Sequence, residues 1–127
     1  MPKLLLMKIR IQEIELGTKD PDISKEFYNS ILGLNTIVDQ DDLKVFESGI
    51  DGMDFNASRH IPVKAMIISF LTNDLQTVIE RLNANGIPFI GPNKSHLEMS
   101  TIEFKDPDGY IIRVNQPSDT SPSWLTV

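Results

Sequence analysis

The chain has 127 residues, of which 40% are hydrophobic and 24% charged, and it carries a formal net charge of −6. That is the make-up of one globular α+β-sized domain with a real core, and it excludes a disordered tail protein and disfavours sequence-independent nucleic-acid binding, which needs a basic footprint. Cysteine is absent, so disulfides, thiolate metal sites and cysteine nucleophiles are excluded as well.

In the opening MPKLLLMKIRIQ the apolar run, Leu4 to Met7, is only four residues long before Lys8. This is too short for the core of a signal peptide, and no small-residue cleavage site follows. No other run approaches a membrane span. The expectation is a cytoplasmic protein with neither a membrane nor a nucleic acid as partner.

Residues 8–16 mostly alternate, with Ile9 and Ile11 on one face and Ile14 and Leu16 on the other after a slip of phase near Gln12 and Glu13. A strand with a bulge fits that pattern. Asp20-Pro21 then supplies an N-cap and a proline for the first helical turn. Ile23, Phe27 and Ile31 recur at helical spacing as one apolar face, and Gly33 is placed to close the helix. Short strands are predicted at 35–38, 43–47 and 53–56, separated by DQDD and SGIDG.

The pattern then repeats. A strand is predicted at 63–70, with Met66, Ile68 and Phe70 toward a helix and Ala65, Ile67 and Ser69 on the opposite side. Asn73 and Gln76 fit a capping box ahead of Leu75, Ile79 and Leu82. Gly86 closes this helix as Gly33 closes the first, 53 residues earlier. Strands follow at 87–90, 99–105 and 110–115, and the turn Asp108-Gly109 echoes Asp51-Gly52 at a spacing of 57. These matched stops imply two tandem βαβββ modules, about 8–57 and 62–116, followed by a Pro/Ser/Thr-rich tail, 117–127. The tail reads as frayed, with Trp124 and Leu125 as the residues able to dock on a neighbouring subunit instead.

In FKDPDGYIIRV, residues 104–114, the turn Asp106-Pro107-Asp108-Gly109 makes a hairpin. Placing Ile102, Phe104, Ile112 and Val114 on one face pairs Phe104 with Ile112 and therefore sets Glu103 opposite Arg113 on the other. The bland reading of that pair is a cross-strand salt bridge; the functional one is a guanidinium fork held for a ligand carboxylate or phosphate.

The duplicated modules, FYNSILGL at the first helix and KDPDGYIIRV at the end, together resemble the vicinal oxygen chelate superfamily of glyoxalases, bleomycin resistance proteins and extradiol dioxygenases. The resemblance covers residues 8–116. It implies that each module curls into half of an open barrel-like cavity, and it implies a homodimer. It also implies four inward metal positions, commonly His, Gln or Glu. Carried over, these fall on Gln12 or Glu13, on Ile67, on Arg113 and on Asn56. Isoleucine offers no donor and a guanidinium repels a cation, so no metal cofactor is expected. His60 and His96, the only two histidines, both read as loop residues, and a site of two histidines and a carboxylate would have to recruit both.

The expected function is therefore metal-independent binding of a small organic molecule, in the manner of the bleomycin-resistance-like members. Arg113 set by Glu103 is the anchor, Ala65, Ile67 and Ser69 are the wall, and Asn56 and Gln12 stand at the former metal positions. The competing reading is a metal-dependent lyase, isomerase or dioxygenase of the same superfamily, and a third is an interaction module whose cavity is filled by its own side chains. Glu13 is the candidate general base if buried; Glu15, Glu47 and Asp54 read as solvated carboxylates, and Tyr28 as helix–sheet packing.

Overall fold

A computed structural model of the protein describes residues 7–127; most of the apolar run from Leu4 lies outside them. The element order is βαβββ twice over. The first module has β1 (Ile9–Gly17), α1 (Pro21–Glu26), β2 (Thr36–Asp39), β3 (Leu43–Glu47) and β4 (Asp54–Ser58). The second has β5 (Met66–Thr72), α2 (Leu75–Ala84), β6 (Ile90–Lys94), β7 (Ser100–Lys105) and β8 (Ile111–Gln116). The described residues gather into two compact units, 12–68 in one and 69–127 with 7–11 in the other. Among the described residues no helix is long and apolar enough to cross a membrane.

In the unit of residues 12–68 the strand order is β2-β3-β4-β1, with β1 and β4 parallel and β3 antiparallel to its neighbours. Asp20 caps α1 as its sequence predicts, accepting from the amide of Asp22 at 3.0 Å, with Pro21 in the first turn. The buried face of the helix is not the expected one. Ile23, Phe27 and Ile31 are 66%, 47% and 69% exposed, whereas Pro21 is buried and Ser24 and Tyr28 are half-buried. The spacing was legible but its phase was not, because the aromatic ring of Tyr28 finds Phe46 and Phe55, with centroids 5.2 and 5.1 Å away. After Glu26 the helix widens into a π turn, Phe27–Ile31. Gly33, at φ +77°, then ends it, and the amide of Leu34 reaches the carbonyl of Tyr28.

A charged lattice ties this helix to its sheet. Lys44 on β3 is almost wholly buried and its ammonium meets Asp39 at the end of β2 and Asp22 in the first turn of α1. Lys25 bonds the other oxygen of Asp39. Hydrogen bonds from Lys25 and Lys44 hold the Asp39 carboxyl down to about 2, against an ordinary 3.8.

In the other unit the order β5-β8-β7-β6 repeats that of the first module. The buried stripe of α2, Leu75, Ile79 and Leu82, packs on Ile102 and Val114, with Phe70, Phe104 and Ile112 at its margin. The expected cap is shifted by one residue. Asp74, not Asn73, accepts from the amide of Thr77 at 3.1 Å, because the Asn73 side chain is engaged by the backbone amide of Lys8 at 2.8 Å. Gly86 closes the helix at φ +67°. Strands predicted at 63–70 and 87–90 each begin about three residues later than expected. The tail is not frayed: Leu125 is buried against Leu71 and Met99, and Arg10 Nε donates to the carbonyl of Thr126 at 2.8 Å. Trp124 stays exposed.

Two outcomes follow for stability. Asp39 has a lowered folded pKa, so its contribution is complete above pH 3.8 and disappears as pH falls toward about 2. Urea unfolding should show Asp39→Asn less stable than the native chain at pH 6, with the gap closing by pH 2. Gly17 is fixed by close approach: a Cβ there would lie 1.8 Å from the carbonyl oxygen of Pro62. Gly17→Ala should cost about 1–3 kcal/mol in the same assay, since backbone must move.

Candidate functional site

The hairpin turn sets the geometry of the site in the unit of residues 69–127. Asp106 Oδ1 accepts from the amides of Asp108 and Tyr110, both at 2.9 Å, and Gly109 takes φ +90°. This turn brings β7 and β8 together with Phe104 opposite Ile112 and Glu103 opposite Arg113. The Phe104 row packs toward α2, so pleating turns Glu103 and Arg113 to the helix-free face. There Arg113 Nε donates to Glu103 Oε1 at 3.0 Å, with the two side chains 39% and 35% exposed. They border a cleft of about 190 Å³ together with Ile90, Asn93, Ser95 and Thr101. A second, mostly apolar groove of about 300 Å³ adjoins, bounded by Pro88, Phe89, Lys105 and Ile111, and it shares Ile90 and Glu103 with the first.

The other expected residues fall elsewhere. In the unit of residues 12–68, Glu13 and Glu15 on β1 stand on the same face as Asn56 and Ser58 on β4. Asn56 Nδ2 donates to Glu13 at 2.8 Å, and Ser58 Oγ donates to Glu15 at 2.6 Å. Gln12 is half-buried in the same strand. Glu15 was expected in solvent and is 7% exposed instead; the buried hydroxyl of Ser58 compensates its desolvation. Glu47 and Asp54 are exposed, as expected. Ala65 precedes β5 rather than lying within it, its carbonyl taken by the amide of Gly17 at 2.9 Å. Ile67 is buried within the same unit, and Ser69 is buried where β5 enters the other.

The donor chemistry of the residues at the expected metal positions fits a divalent ion poorly. Glu13 has a carboxylate, but Asn56 turns its amide donor toward it, so the two meet as a hydrogen-bonded pair. Asn56 Oδ1 is a buried acceptor with no hydrogen bond, so Glu13 and Asn56 together offer three oxygens from two side chains, where zinc takes four ligands and calcium six or more. Ile67 has no donor atom and Arg113 is a cation. Among the described residues no three His, Asp or Glu side chains converge as a possible metal set, and His60 and His96 are exposed.

Sequence reasoning missed Ile90, Asn93, Ser95 and Thr101. Thr101 was accessible, since it lies two residues before Glu103 and so shares its face. The others sit in IGPNKS, residues 90–95, where Gly91 and Pro92 interrupt any alternation.

A family model, the Glyoxalase/Bleomycin resistance protein/Dioxygenase superfamily, matches residues 10–114. No curated protein matches the sequence. Among solved structures, a glyoxalase/bleomycin resistance protein/dioxygenase superfamily member from Vibrio splendidus 12B01 is 21% identical, with 86% of this chain and 99% of that one covered and a TM-score of 0.64. A methylmalonyl-CoA epimerase from Mycobacterium tuberculosis is 14% identical over 85% of this chain and 87% of its own, at a TM-score of 0.61. A mutant homoprotocatechuate 2,3-dioxygenase from Brevibacterium fuscum is 17% identical; 91% of this chain aligns with 34% of that one at a TM-score of 0.70. Likeness at these identities is a likeness of fold.

The Glu15–Ser58 contact has its own test. Ser58→Ala removes the hydroxyl and leaves a buried carboxylate oxygen without that donor, and should cost about 1–3 kcal/mol in urea unfolding near pH 7. The loss should shrink when Glu15→Gln is combined with it, because the charge that needed the donor is gone.

Proposed function

Since the chain belongs to the glyoxalase/bleomycin resistance protein/dioxygenase superfamily, we propose that it binds a small organic molecule without a metal ion, using Arg113 as the polar anchor. The observation that carries this reading is the Glu103–Arg113 contact at 3.0 Å on the wall of a cleft. A pocket orients a small ligand with a few placed polar groups among apolar walls. Glu103 takes the Nε edge of the guanidinium and so fixes its plane, while the Nη edge is left for a ligand oxygen pair. The donor chemistry at Glu13, Asn56, Ile67 and Arg113 supports the metal-free half of the reading. A cytoplasmic homodimer without nucleic-acid or membrane partners completes it.

The test is metal content by mass spectrometry on tag-free protein purified without chelator, followed by titration with Zn²⁺, Ni²⁺, Mn²⁺ and Fe²⁺. The expected outcome is far less than one metal per chain and no thermal shift on addition. Saturable, near-stoichiometric metal would overturn the reading and direct attention to lyase, isomerase or dioxygenase chemistry. In a screen of small anions, Arg113→Ala should weaken any bound anion about 10- to 100-fold, the range for losing a charge-assisted hydrogen bond.

A further inference from the structure

The polar cleft does not end at Arg113. Ile90 on β6 pairs with Glu103 on β7, and Glu103 pairs with Arg113 on β8. These three residues therefore form one row across three strands, on the helix-free face. One step along the strands, Lys105 pairs with Ile111, and pleating puts this second row on the same face as the first. The polar cleft lies to one side of Glu103 and the apolar groove to the other, with Ile90 bordering both. Ile90 is 64% exposed and Ile87 near it is 38% exposed, so uncovered hydrocarbon of Ile90 borders the same cleft as the Arg113 guanidinium.

We propose that this composite cleft takes an amphipathic monocarboxylate, with its carboxylate on the Nη edge of Arg113 and its hydrocarbon body along Ile90 and Ile111. The proposal rests on the reading of Arg113 as an anchor and adds the class of ligand. Charge selects a monoanion. Among the described residues that border the two clefts, Arg113 and Lys105 are opposed by Glu103 alone, which leaves a single positive charge to be matched, and a dianion would place its excess against Glu103. Shape selects the carboxylate, because the free edge of a guanidinium presents two parallel donors at the spacing of two carboxylate oxygens. The apolar groove, at about 300 Å³, lies at the small end of ligand pockets, which suits a body of several carbons rather than a long acyl chain.

The full chain is titrated by isothermal calorimetry with acetate, butyrate, hexanoate and octanoate, and with hexan-1-ol and hexylamine as matched controls, each with and without EDTA. Affinity should rise about fourfold per added methylene until the groove is filled, the ratio that about 0.8 kcal/mol per buried methylene implies. Hexanoate should bind at least tenfold more tightly than hexan-1-ol, and hexylamine should not bind. Arg113→Gln should bring hexanoate and hexan-1-ol to similar affinity. Ile90→Ser, at an exposed position that the fold tolerates, should flatten the chain-length series. Carboxylates that bind through Arg113 with no dependence on chain length would overturn this inference and leave the functional reading standing. Binding abolished by EDTA and restored by a divalent metal would overturn the functional reading. Failure of every carboxylate to bind protein with a native circular dichroism spectrum would overturn both.

Discussion

Pleating allows a strand to offer only every second side chain to the helix that packs on it, and each module of this protein has a single helix. That constraint organises everything else. In the unit of residues 12–68, Phe46, Phe55 and Tyr28 occupy the helix side; in the other, Ile102 and Val114 meet Leu75, Ile79 and Leu82. The buried apolar residues that pack each sheet on its helix lie on that side. The opposite face is then free to carry Glu13, Glu15, Asn56 and Ser58 in one unit, and Glu103, Arg113 and Thr101 in the other. One fold can host several chemistries, and here the polar side chains gather on the face away from the helix.

The polar groups removed from water are, with few exceptions, paired locally. Lys44 is nearly inaccessible and has two aspartates; Glu15 has Ser58; Asn56 satisfies its donor but not its acceptor. Lys44 and Arg113 differ in how much of each cation its partners enclose. Lys44 is enclosed by its partners on the helix side of its sheet, where α1 seals it. Arg113 shares only Nε with Glu103 and borders open space. Both are cations on strands next to carboxylates, and only the side of the sheet distinguishes their roles.

Features set by neighbours in sequence were legible in advance. The Asp20-Pro21 cap, the glycine stops at Gly33 and Gly86 and the Asp106–Gly109 turn are all local, and the turn in turn dictated the pairing of Glu103 with Arg113 across β7 and β8. What depends on distant packing was not legible. Ile23, Phe27 and Ile31 have a stronger apolar pattern than Pro21, Ser24 and Tyr28, yet the aromatic partners on β3 and β4 chose the latter face. Glu15 looked solvated because its partner, Ser58, is 43 residues away. Asn73 and Asp74 are equally good caps on paper, and the hydrogen bond from the Lys8 amide to the Asn73 side chain decided between them. Leu125 was read as part of a frayed tail because nothing nearby in sequence announces Leu71 and Met99.

The strand that borders both clefts, β6, is also the last in its order, next to β7 alone. Such a margin ordinarily invites another polypeptide to add itself by main-chain pairing, which is the usual origin of aggregation and of peptide capture. Here Pro92 contributes no amide hydrogen, and the pairing with β7 shifts between Ile90 and Asn93. Lys94 charges the far end of the strand. An incoming chain would meet a broken ladder and could not propagate along it. The cleft can therefore stay open to a solute while its rim refuses to act as a template, so that openness to small molecules and resistance to strand addition at this edge are settled by the same few residues.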